Sequence, residues 1–198
     1  MGNRFKSWLV CGFCLITTVL TVILSSSGPI QAQVSDRPPY LIDRAAAFDI
    51  EQPNATAFSI WNRSANQRHE VWFRILGGDA LFQQRLRVYK EQAPPREPNM
   101  LPPESELIYE IADNNPSDWF FLGFESEFYT YYFDGDNRFG NDLDWDHSKA
   151  VRARKTTYRN GDLYDISFED LNTLDDYNDL EIEVVLVHSQ RYPRLPMS

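Results

Sequence analysis

The chain has 198 residues, 29 of them acidic and 19 basic, for a formal net charge of −10 at neutral pH. That balance excludes nucleic acid and anionic membrane surfaces as electrostatic partners. The two cysteines, Cys11 and Cys14, both lie near the N-terminus. The rest of the chain therefore has neither a disulfide nor a thiol nucleophile, and core packing plus any bound ion must hold it together.

Residues 1–33 read as a signal peptide. Arg4 and Lys6 precede an apolar run at 8–24, and small residues at Ser25-Ser26-Ser27 and around Ala32 offer cleavage sites. The expected location is secreted, periplasmic or cell-surface. An uncleaved N-terminal membrane anchor is the alternative, because the run approaches the length of a span. Without Arg4 and Lys6 the remaining chain has 17 basic and 29 acidic residues, a charge of −12. Most of this is local: positions 134–183 hold 14 acidic and 6 basic residues, a net −8. Charge gathered in one region points to cation binding more than to solubility.

Residues 34–56, with Pro38-Pro39 and Ala45-Ala46-Ala47, read as a loose lead-in. From Ala57 the dominant hydrophobic period is two, the signature of half-buried strands. Phe58 and Ile60 mark the first strand, then Val71, Phe73 and Ile75, then Phe82, Leu86 and Val88. Gly77-Gly78 between the last two suggests a hairpin. The prolines between Pro94 and Pro103 form a rigid connection, after which Leu107, Tyr109 and Ile111 make another strand. The aromatic run 119–133 is apolar on both sides and reads as two central strands meeting near Glu125-Ser126-Glu127. Core packing is the expected role of its rings; a sugar-stacking face of Tyr129, Tyr131 and Tyr132 is the competing one. No helical period of useful length follows residue 33. The expected fold is all-β, a single β-sandwich (jelly-roll-like or Ig-like) of mainly antiparallel strands over 57–190, with a tail at 191–198.

The segment from Asp134 to His147 reads as a turn-rich acidic loop. Asp142, Asp144 and Asp146 copy the start of an EF-hand loop, but His147 replaces the required glycine and Ala153 the closing glutamate. Arg152, Arg154 and Lys155 then supply counter-charges. A final hairpin follows, its strands marked by Ile166-Ser167-Phe168 and Leu180-Glu181-Ile182. Between them lie Glu169, Asp170, Asp175, Asp176, Asn178 and Asp179, with no adjacent lysine or arginine. Clustered carboxylates repel unless a cation lies among them, and calcium takes six to eight oxygen ligands. The candidate metal ligands are Asp144, Asp146, Glu169, Asp170, Asp176, Asn178 and Asp179, and the candidate ion is Ca2+. In an extended segment Asp176 and Asn178 share the face that Leu180 and Ile182 carry inward. A solvated acidic loop is the competing reading. Zinc is disfavoured by the scattered positions of His69, His147 and His188.

Phe168-Glu169-Asp170-Leu171 followed by Asp176-Tyr177-Asn178-Asp179-Leu180, with Asp146-His147 upstream, resembles the bacterial family called domain of unknown function 4114. The likeness covers residues 119–187. It implies a secreted or surface-attached, β-rich, calcium-binding module, in a family whose acidic residues have also suggested enzymatic activity. Two departures stand out. Asn172-Thr173-Leu174 replaces the usual glycines, and Leu174 replaces the first Asp of the family's Asp-x-Asp pair.

The functional expectation is an exported, non-catalytic calcium-binding β-sandwich module of the bacterial cell envelope or extracellular space, acting in adhesion or matrix binding. Its partners would be a divalent cation and a glycan or cell-surface component. The alternatives are a glycan-active enzyme using paired carboxylates such as Glu169 or Asp170, and a carbohydrate-binding module using Trp145 and the tyrosines. No GxSxG, HExxH or P-loop motif is present.

Overall fold

The structure is a computed structural model that describes residues 37–62, 68–97, 99–125, 128–140, 144–171 and 176–188. The expected signal peptide, the tail, Asp142 and the loop 172–175 lie outside the described residues.

Eleven strands are described: β1 (Arg44–Pro53), β2 (Ala57–Asn62), β3 (His69–Gly77), β4 (Gln83–Glu91), β5 (Leu107–Ile111), β6 (Phe120–Glu125), β7 (Tyr129–Arg138), β8 (Asp146–His147), β9 (Ala150–Tyr158), β10 (Gly161–Glu169) and β11 (Leu180–His188). A single 3-10 turn, Glu104–Glu106, is the one helical piece among the described residues. None of these residues forms a helix long and apolar enough to cross a membrane.

Six strands form one sheet in the order β1-β9-β10-β11-β3-β6, and the other runs β2-β7-β4-β5 with β8 also paired to β7. Every pairing is antiparallel. The expected all-β sandwich is what the chain forms. Alternating inward residues of both sheets make one core, in which Val71, Phe73, Ile75, Ile166, Phe168 and Ile182 of the first face Phe58, Leu86, Val88, Tyr131 and Phe133 of the second. Phe73 is central. Its ring stacks on Phe120 with centroids 4.8 Å apart and meets Tyr109 at 5.6 Å and Phe133 at 6.0 Å, so it ties the two sheets together.

Several expectations change. Part of the presumed lead-in is β1, an edge strand of ten residues paired along β9. Its small alanines hide the alternation, and backbone pairing rather than buried side chains holds it. Strands β3 and β4 are not a hairpin, since they belong to different sheets. Gly77, at φ 135°, begins the crossing, and Gly78 then passes so close to the Asp179 carbonyl that no Cβ would fit. The aromatic run does divide into two strands, β6 and β7, one in each sheet. Tyr129, Tyr131 and Tyr132 are all buried, which removes the stacking face. The presumed acidic loop begins later than expected, because β7 continues through Asp134, Gly135 and Asp136 to Arg138. Gly135 lies under Phe168, whose Cδ1 would stand 2.6 Å from any added Cβ.

Replacing Phe73 by Ala removes the ring that joins the sheets and should cost about 3–5 kcal/mol of unfolding free energy. Urea denaturation followed by tryptophan fluorescence would measure it. A loss below about 1 kcal/mol would mean that the core does not close around this residue.

Candidate metal centre

The end of the sandwich where β10 stops and β11 starts carries three buried carboxylates. Glu169, Asp170 and Asp179 are 1, 4 and 7 % exposed, and each offers an oxygen within 4.8 Å of those of the other two. Local backbone geometry brings them together. The Glu169 carboxylate spans the turn, accepting the Leu171 N–H on Oε1 (3.0 Å) and the Tyr177 N–H on Oε2 (3.2 Å). Asp179 Oδ2 accepts the Asp170 N–H at 2.8 Å. The side chains thus cross-link the two ends of the loop that carries them.

The opposite sheet closes the group. Gln84, near the start of β4 and 86 residues away in sequence, donates from Nε2 to Asp170 Oδ2 at 3.0 Å. The same amide nitrogen lies 3.4 Å from the Phe82 carbonyl, so two acceptors fix its orientation. Its Oε1 is buried and has no hydrogen-bond partner among the described residues. The β3–β4 connection adds a clamp, with the Asp79 N–H donating to the Asn178 carbonyl at 2.7 Å. On the other flank the Lys149 N–H donates to the Glu169 carbonyl at 2.7 Å.

The electrostatics set this group apart. Seven acidic side chains are buried among the described residues. Four have a cationic partner: Glu91 with Arg96 (2.8 Å), Glu125 with Lys90 (2.7 Å), Asp134 with Arg87 (2.7 Å) and Asp136 with Arg85. The other three are Glu169, Asp170 and Asp179, and no lysine or arginine is among the groups that set their titration. Burial first, and then the neighbouring carboxylates, raise all three pKa values, that of Asp179 to about 6. Burying an ionised carboxylate without compensation is costly, so the group must take up protons or a cation. Two ligands on opposite sides of a calcium ion stand about 4.8 Å apart at usual bond lengths. The oxygens here fall within that span, so the acidic cluster could hold a metal ion.

Of the seven candidate ligands, three meet. Asp176 is exposed and Asn178 half-buried, because Tyr177 adopts φ 53° and breaks the alternation expected to carry both inward. The Tyr177 ring lies under the Arg152 guanidinium at 4.7 Å. Asp144 and Asp146 are also exposed, β8 pairs Asp146 with Asn137 on β7, and neither joins the group of three. Sequence reasoning missed Gln84, which stands 86 residues from Asp170 with no acidic residue adjacent to mark it. It also missed Asp134 and Asp136, which with His147 form a second group of donors within 4.8 Å. Their spacing of two at the end of an alternating strand was the available signal. Burial, and then Asp136, push the Asp134 pKa up to about 7.

A two-sheet antiparallel sandwich with buried acidic clusters is the class of protein that fold and site define. No protein-family model matches the chain, and neither a curated protein nor a solved structure does.

Because Asp179 titrates higher in the fold than its ordinary 3.8, the metal-free native state holds an extra proton between pH ~4 and ~6. Its contribution therefore lowers stability as pH rises through that window. Asp179→Asn, which retains an acceptor for the Asp170 N–H, should raise the melting temperature in chelator at pH 7.5 and do less at pH 4.5. Calorimetry at the two pH values checks the sign. An equal effect at both would show that Asp179 is not an unfavourable buried charge.

Proposed function

We propose that the chain is an exported, non-catalytic calcium-binding β-sandwich module that works at the bacterial cell envelope or outside the cell, in adhesion or matrix binding. The observation that carries this reading is the convergence of Glu169, Asp170 and Asp179 with no lysine or arginine partner among the described residues. Gln84, whose Nε2 meets Asp170 and whose buried Oε1 has no hydrogen-bond partner among the described residues, could offer calcium that neutral oxygen by turning its amide over. The hydrophobic run of residues 8–24 supports export, and the likeness of 119–187 to domain of unknown function 4114 supports a surface-attached module. That likeness rests on its motif alone.

An ion also suits the burial better than a sugar does. A glycosidase needs its two carboxyls on either side of a bound glycosidic bond. These three are almost wholly covered, and a described cavity of about 230 Å³ lies elsewhere, between the β1–β2 turn and the proline-rich connection. Calcium inserted here would replace protons and link the loop, β10, β11 and β4, so binding would appear first as stability.

At pH 7.5 and calcium a hundredfold above its dissociation constant, the melting temperature should rise by about 5–10 °C. The rise should vanish in Asp179→Asn and Glu169→Gln, persist in Asp176→Asn, and fade below pH ~6 as Asp179 is protonated. Melting that is unchanged by calcium and by chelator would remove this function. A rise abolished by Asp176→Asn and retained by Asp179→Asn would move the site to the exposed loop.

A further inference from the structure

The outer face of the second sheet carries a second set of donors with different chemistry. Asp134 and Asp136 lie two apart on β7 and therefore share this face with Arg85 and Arg87 of β4. The guanidinia take one oxygen of each carboxylate. Arg87 Nη2 donates to Asp134 Oδ2 at 2.7 Å, and Arg85 Nε donates to Asp136 Oδ2 at 2.9 Å. Both Oδ1 atoms are left facing His147 of β8. Its Nδ1 is 2.9 Å from Asp136 Oδ1 and 3.8 Å from Asp134 Oδ1. Asp134 is wholly buried, and its Oδ1 has no hydrogen-bond partner among the described residues.

We propose that Asp134 Oδ1, Asp136 Oδ1 and His147 Nδ1 form a binding site for a divalent transition metal of the zinc type, separate from the Glu169 cluster. Tetrahedral zinc with bonds of about 2.1 Å holds its ligand atoms about 3.4 Å apart. The two separations to the imidazole nitrogen bracket that value. One imidazole and two carboxylates suit zinc better than calcium, which prefers oxygen throughout. The arginines stand behind the ligands on the far oxygens, where they hold the carboxylates in place as outer-shell partners do. The imidazole side chain is 51 % exposed, which gives the ion a way in and leaves its remaining coordination position to water.

Calorimetric titration of the wild-type protein with zinc chloride, in excess calcium at pH 7.5, should give one zinc per chain. Affinity should fall at least tenfold in His147→Ala and in Asp134→Asn and stay unchanged in Asp176→Asn. Cobalt(II) in place of zinc should show visible d–d absorption that His147→Ala removes. Because His147 is half-exposed, its loss leaves the core intact, and circular dichroism of each variant confirms folding. Absence of zinc binding would overturn the site, as would wild-type affinity and an unchanged cobalt spectrum in His147→Ala. In either case His147 would be an ordinary ion-pair partner of Asp136.

Discussion

Burying negative charge is the constraint on which this fold turns. Four of the buried acids among the described residues are met by arginine or lysine: β4 sends Arg85 and Arg87 toward acids on β7 and Lys90 toward Glu125 on β6 of the other sheet, and Arg96 covers Glu91. Glu169, Asp170 and Asp179 are treated differently. Backbone N–H groups and one glutamine satisfy part of their hydrogen-bonding capacity, and burial leaves their charge uncompensated. The other buried acids among the described residues are paired, so a cation is the partner these three could take.

The position of the group gives that charge structural weight. It lies where the loop joining β10 to β11 meets the β3–β4 crossing, and Gln84 reaches it from the opposite sheet. The contacts span both layers of the sandwich. Gly78 allows the approach, since its backbone rests against the Asp179 carbonyl where any side chain would collide. Events at the three carboxylates therefore act on the packing of the sheets as well as on a surface loop.

Much of this was legible in the sequence. Period-two alternation located most of the strands, and the aromatic run divided where its polar interruption fell. Glu169, Asp170 and Asp179 could be chosen because they flank two alternating strands. What stayed hidden had physical causes. Alternation continued past a strand end assigned Asp176 inward, and one left-handed residue, Tyr177, turns it to solvent. Spacing says nothing about which distant strand closes a site, so Gln84 had no signal. Strand β1 has small side chains and an edge position, and backbone pairing leaves no hydrophobic pattern. Two glycines between strands suggested a hairpin, and here they carry the chain from one sheet to the other.

The most direct measurement is the anomalous scattering of crystals grown with terbium(III), an oxygen-seeking ion of nearly calcium's size. The account predicts one strong peak within bonding distance of carboxylate oxygens from Glu169, Asp170 and Asp179. Peaks confined to exposed carboxylates such as Asp144 or Asp176, with none among the buried three, would contradict it.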